Sequence, residues 1–154
     1  MGIMNLFNPS VREMRRLKSL ILEGLGSDPR VLLKLPQPKA TTGRALQHCR
    51  SMISNVLAKG PHVFKIGVSA DPMFRFYKKP TNSSNSCGYF CGDERYKFMH
   101  VLFASSRWEE AALMEAVLIE PHQETPGNRN VRPGGDGRQM GEGPFFTYLV
   151  LKPV

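Results

Sequence analysis

Three short apolar runs, residues 62–68, 96–104 and 145–151, are rich in β-branched and aromatic side chains and bounded by Gly, Pro, Asp or Ser. Each is too short for a buried helix, so each reads as a strand. The segments around them carry a different period. In residues 44–59, Leu46, Cys49, Ile53, Val56 and Leu57 fall on one helical stripe before Gly60 and Pro61 stop it. Asp71-Pro72 opens a short helix containing Arg75, because proline is tolerated in a first turn. Ser106-Arg107-Trp108-Glu109 reads as a capping box at the start of a third helix. There Ala112, Leu113, Ala116, Val117 and Ile119 form an apolar surface, and Pro121 marks the end. Residues 10–25 repeat Val11, Met14, Leu17, Leu20, Ile21 and Leu25 at helical spacing, residues 34–43 read as a linker, and residues 81–93 as a polar loop. The order helix, helix, strand, helix, strand, helix, strand implies a small mixed sheet covered by helices. The expected division is an N-terminal helical extension and linker, residues 1–43, followed by a domain over residues 44–154.

Composition narrows what such a domain does. Hydrophobic residues make up 41% of 154, which excludes a disordered chain, and no run approaches the roughly 18 apolar residues of a spanning helix. No membrane association is therefore expected. The first apolar stretch is broken by Asn8, Pro9 and Arg12, which speaks against a secretory leader, while a basic organellar presequence stays compatible with the sequence. Three irregularly spaced cysteines, Cys49, Cys87 and Cys91, do not make a disulfide framework, so an intracellular, reducing setting such as cytoplasm or nucleus is expected. Cys87-x₃-Cys91 with His100 departs from the usual zinc spacing and has no evident fourth ligand; free thiols are the simpler reading. The formal charge of +8 suits an anionic partner such as nucleic acid. Ten Lys and Arg face three acids in residues 1–60, against eleven and ten in the remainder.

Two residues stand out for chemistry. Arg75 follows Lys65-Ile66-Gly67 by eight residues after the glycine, so a helix turn beyond the strand end it can reach back toward a phosphate. Its planar guanidinium offers several donors in a fixed fork. Glu115 sits mid-helix within Leu113-Met114-Glu115-Ala116-Val117-Leu118-Ile119, set among small and apolar neighbours. Glu109, Glu110, Glu120 and Glu124 supply the ordinary acids of that helix, whereas Glu115 is placed as a metal ligand on a rigid element would be.

Together these pieces resemble the GIY-YIG nuclease family over about residues 61–150. Phe64-Lys65-Ile66-Gly67 is similar to the family's second motif in its divergent form, Arg75 stands at the spacing of its catalytic Arg, and Glu115 matches its metal-binding Glu. Pro126 followed by Asn130 resembles its Pro-to-Asn turn, and Gly134-Gly135-Asp136-Gly137 and Gly143-Pro144-Phe145-Phe146-Thr147-Tyr148 also have counterparts in divergent branches. The resemblance implies an α+β fold with a small, mainly antiparallel three-stranded sheet flanked by helices. It also implies hydrolysis of nucleic-acid phosphodiesters, DNA first, with Mg²⁺ or Mn²⁺. Glu115 would then hold the metal, and Arg75 would stabilise the five-coordinate phosphorus. Asn130 would pin the turn or orient a group near the metal, with Asn128 the competing choice.

The family's first motif is missing from its place. Residues 44–59 precede the second motif as a helix without tyrosine, and the first tyrosine of the chain is Tyr77. The resemblance assigns such a tyrosine to deprotonating water. Tyr148 would replace it if the C-terminal strand occupied the vacant sheet position, with Lys65 lowering its pKa or contacting phosphate. Tyr77, two residues past Arg75, is the other candidate. The missing motif and Lys65 also fit a second reading, a catalytically inactive nucleic-acid-binding module of the same fold.

Overall fold

The computed structural model describes residues 27–131, 134, 139 and 141–154. The helix expected over residues 10–25 lies outside them, as does most of the glycine loop after Arg129. Strand β1 (Val31–Leu33) leads to helix α1 (Thr42–Leu57), strand β2 (His62–Ser69) and the short helix α2 (Pro72–Tyr77). Strand β3 (Phe98–Ser105), helix α3 (Trp108–Ile119), a 3₁₀ turn (Glu120–His122) and strand β4 (Phe145–Pro153) follow. No helix among the described residues is long and apolar enough to cross a membrane.

The chain is α+β, with one four-stranded mixed sheet in the order β1-β3-β4-β2. This corrects the expectation of three strands. The core trio β3-β4-β2 is antiparallel, but Val31–Leu33 adds a parallel edge against Met99–Val101. That strand is only three residues long and precedes a Pro-rich stretch, so no alternation marks it in the sequence. It also lies inside the segment expected as an extension, so the sheet reaches back at least to Val31.

Strand alternation divides the core in two. On one face Phe64, Ile66, Leu149 and Leu151 pack under Ile53 of α1 and under Met114 and Leu118 of α3. On the other, Val63, Met99, Phe146, Tyr148 and Val150 pack against Phe76 of α2 and Tyr96. A register shift in β3 between Val101 and Phe103 turns both Leu102 and Phe103 toward the α1–α3 side. Helix α1 starts on Thr41, whose side chain accepts from the Arg44 amide at 3.3 Å.

Helix α3 starts differently from the capping box read at Ser106. Arg107 is its N-cap and makes no side-chain cap bond. Ser105, carried into the turn by β3, accepts from the Arg107 amide at 3.1 Å and donates to Glu110. The reciprocal pair expected between Ser106 and Glu109 is therefore replaced by a side-chain bond between Ser105 and Glu110. Leu113, expected on the apolar surface, is 63% exposed, whereas Ala111, Ala112, Met114, Leu118 and Ile119 are buried.

Candidate active site

Strand β4 lies between β3 and β2, and its register sets Tyr148 opposite Gly67. The two share a face of the sheet, and the tyrosine side chain leans across its glycine partner. A Cβ on residue 67 would stand 2.4 Å from the Tyr148 hydroxyl and 2.7 Å from Cζ, closer than atoms of that kind approach. Glycine at 67 therefore answers a packing demand made by a residue on another strand.

The Tyr148 hydroxyl meets that of Tyr89 at 2.6 Å, with the rings edge to face at 5.6 Å. Arg75 completes the cluster, its Cζ 5.4 Å from the centre of the Tyr89 ring. The α2 geometry that places it rests on Asp71, which caps the helix by accepting from the Phe74 amide at 3.1 Å with Pro72 in the first turn. Burial opposes the Arg75 charge, but the oxygens of Tyr148 and Tyr89 outweigh it and hold the guanidinium's pKa above its usual value. Burial and the neighbouring Tyr89 oxygen push the Tyr148 pKa well above 10, while Arg75 pulls the other way. Tyr148 is therefore a neutral phenol at neutral pH.

Glu115 reaches the same cleft from the opposite side of the sheet. Arg75 comes from α2 on one face and Glu115 from α3 on the other, and both line the cleft beside β2. The cleft has a volume of about 320 Å³, and its walls include Lys65, Arg75, Tyr89, Glu115, Asn130 and Tyr148. Gly134, at φ +93°, packs close against α3: a Cβ there would stand 3.1 Å from Glu115 Oε1 and 2.8 Å from Ile119 Cδ1, so this approach to the carboxylate needs glycine.

Asn130 closes the outer edge of β2. Main-chain bonds from Phe64 N to Gly127 O at 2.9 Å and from Arg129 N to Phe64 O at 2.8 Å begin a ladder there. The Asn130 side chain continues it, accepting from Ile66 N at 3.0 Å and donating to Ile66 O at 2.8 Å. A carboxamide thus stands in for a strand residue and holds the stretch leading into Gly67. Asn128, the competing choice, donates to His122 O at 2.8 Å and accepts from the Asn130 amide at 2.9 Å, so it shapes the turn that presents Asn130.

Two expectations about this site change. Tyr77 is not among the cleft's walls. Its hydroxyl donates to Asp28 Oδ1 at 2.9 Å, and burial with that bond pushes its pKa up to about 12. Positions two apart on a helix point to opposite sides, which sends Tyr77 away from the side Arg75 serves. Lys65 does line the cleft, yet its Nζ lies 6.0 Å from the centre of the Tyr89 ring, and the cation that draws Tyr148 down is Arg75. Conversely, Tyr89 is a site residue that the sequence reading passed over. The one signal was an aromatic residue directly after Gly88 in a stretch of Ser and Asn.

Among the described residues no three His, Cys, Asp or Glu side chains gather into a metal-binding cluster. Glu115 would contribute a single carboxylate, which suits Mg²⁺ better than zinc, because Mg²⁺ keeps several waters and shares substrate phosphate oxygens. No protein family, curated protein or solved structure matches this chain.

Proposed function

We propose that this chain is a divalent-metal-dependent endonuclease that hydrolyses nucleic-acid phosphodiesters, DNA first, through a GIY-YIG-like site whose tyrosine strand comes from the C-terminal side of the domain. The observation that carries this reading is the meeting of Arg75, Glu115, Tyr148 and Tyr89 in one cleft. The residues quoted for the second motif, the Arg and the metal-binding Glu come from three separate segments, and all three line that cleft. Strand β4, carrying Tyr148, lies beside β2, and on this reading it takes the place of the family's first motif.

Glu115 would hold Mg²⁺ or Mn²⁺, which when bound supplies Lewis acidity and neutralises charge on phosphate and leaving oxygens. Arg75 donates to the non-bridging phosphate oxygens from its place 5.4 Å from the centre of the Tyr89 ring. Hydrolysis adds water across one P–O bond: the water oxygen joins phosphorus, the leaving oxygen gains a proton, and the water's proton passes to solvent. Tyr148, held as a phenol, does not take that proton in the resting site. The Tyr148–Tyr89 pair instead orients the attacking water or a phosphate oxygen by hydrogen bonding. Asn130 keeps Ile66 and Gly67 in place beneath them.

Conversion of supercoiled plasmid to nicked or linear forms tests the reading. Cleavage is expected with Mg²⁺, and its loss with EDTA or in Glu115→Ala. Equal cleavage by the parent and Glu115→Ala, after separate purification, would remove it. The burial of the Tyr148 hydroxyl favours a second reading, a nucleic-acid-binding module without chemistry. Salt-dependent binding of DNA with no Mg²⁺-dependent cleavage selects that one.

A further inference from the structure

A second, larger cavity abuts the cleft. It has a volume of about 470 Å³ and lies between α2 and the loop over residues 78–96. Lys65, Arg75 and Tyr89 belong to the walls of both. A ligand that reaches from one to the other therefore passes directly over the Arg75–Tyr89 pair.

The walls of this cavity combine aromatic faces with positive charge. Phe74, one residue before Arg75, is 60% exposed, and Tyr89 and Tyr96 stand edge to face at 5.7 Å. Lys78 Nζ lies 5.8 Å from the Phe74 ring centre and donates to Ser86 Oγ at 2.6 Å, which leaves its charge uncompensated by that partner. Of the two acids in the walls, Glu94 is engaged by Arg129 at 3.1 Å and by Lys152 at 3.4 Å. Lys65, Arg75 and Lys78 then face Asp93, and the balance is cationic.

An exposed ring, Phe74, beside cations suits a base joined to a phosphate, since stacking on an aromatic face is tolerant of base identity and the cations follow the backbone. Size sets a limit. The volume lies within the about 300–1,000 Å³ range of small-ligand sites. It admits one nucleotide but not a base pair within a stacked duplex. Resting on the nuclease reading, we propose that this cavity receives an unpaired nucleotide next to the scissile phosphate, its base on Phe74 and its phosphate near Lys78. The preferred substrate is then single-stranded or locally unpaired nucleic acid.

Fluorescence anisotropy in EDTA tests this apart from cleavage, with a labelled single-stranded oligodeoxynucleotide of about twelve nucleotides and the blunt duplex of the same sequence. The single strand is expected to bind more tightly. Phe74→Ala should weaken it about tenfold with the duplex unchanged, and Phe74→Tyr should keep the parent affinity. Equal loss on both ligands, no loss on either, or no binding of the single strand by the parent overturns the subsite. Displacement of the strand by an equal concentration of free thymidine 5′-monophosphate overturns it in favour of a mononucleotide pocket. Single-strand binding that depends on Phe74, without Glu115-dependent plasmid cleavage, keeps the subsite and removes the nuclease reading. The opposite pattern removes the subsite alone.

Discussion

Tyr148 lies across Gly67, its register partner on β2, so closely that a single methyl group at position 67 would occupy the space of the phenol's oxygen. The glycine therefore shapes the cleft from beneath, and the tyrosine is held between β2, Tyr89 and Arg75.

Gly67→Ala is expected to lower stability by about 1–3 kcal/mol through overpacking, because the methyl meets a tyrosine that is 1% exposed and cannot swing out. Thermal unfolding measures this. Plasmid cleavage should fall with it, and a melting temperature equal to the parent's would show that Tyr148 can be repacked freely.

Tyr148→Phe removes one half of the 2.6 Å hydroxyl pair and leaves the Tyr89 hydroxyl short of a partner. A cost of about 1 kcal/mol in stability is expected, with a cleavage rate about a hundredfold lower through lost orientation of the water or phosphate. Because the Tyr148 pKa is raised in the fold, the unfolded chain loses its proton first as pH rises. Its contribution to stability is therefore complete below pH 10 and declines above it. Absorbance titration should show no phenolate from Tyr148 below pH 10. A difference between parent and Tyr148→Phe in that range would contradict the burial argument.

Arg75→Lys retains a positive charge beside the tyrosines but loses the planar fork that, on the proposed function, addresses a phosphate. Cleavage is expected to fall about 10²–10³-fold with the melting temperature nearly unchanged. Wild-type rates in the lysine variant would show that charge alone suffices.

Asn130→Ala strips both side-chain bonds from the Ile66 peptide groups, leaving a donor and an acceptor without the partners they have now. Destabilisation of about 1–3 kcal/mol is expected. Faster hydrogen exchange at the Ile66 amide, measured by NMR, locates the effect.

His100 supplies an acid-side prediction. Burial, with help from Lys34 and Lys59, draws its pKa from 6.5 down to about 4. The unfolded chain then binds the proton more readily, so this contribution to stability is present above about pH 6.5 and is lost as pH falls toward 4. Solvent screening of a partly exposed ring limits the loss to about 1 kcal/mol. His100→Gln should flatten the fall of melting temperature over that window.

The residues that the sequence made legible are those whose neighbours announce them. Glu115 was visible because it interrupts an apolar helix, and Arg75 because a Pro-started helix follows a glycine-ended strand. The strands over residues 62–69, 98–105 and 145–153 were visible through β-branched and aromatic runs between breakers. Strand β1 was not, since three residues hold no alternation and its pairing with β3 crosses two helices and a strand. The place of β4 in the sheet is likewise non-local: nothing within residues 145–153 says that they insert between β2 and β3. Hence Tyr148 stood beside Tyr77 as one of two options until register separated them. Tyr89 stayed hidden because its role comes from a loop folded back on the sheet, where local composition shows only polarity.

The middle position of β4 also has a meaning in time. Translation delivers Arg75 and Glu115 while the seam that β4 will fill between β2 and β3 is still open, so the phenol and the guanidinium cannot yet be locked together. A growing chain with the proposed activity would thus carry its chemistry unassembled past the ribosome's own RNA, and become competent only when its last described strand slides home.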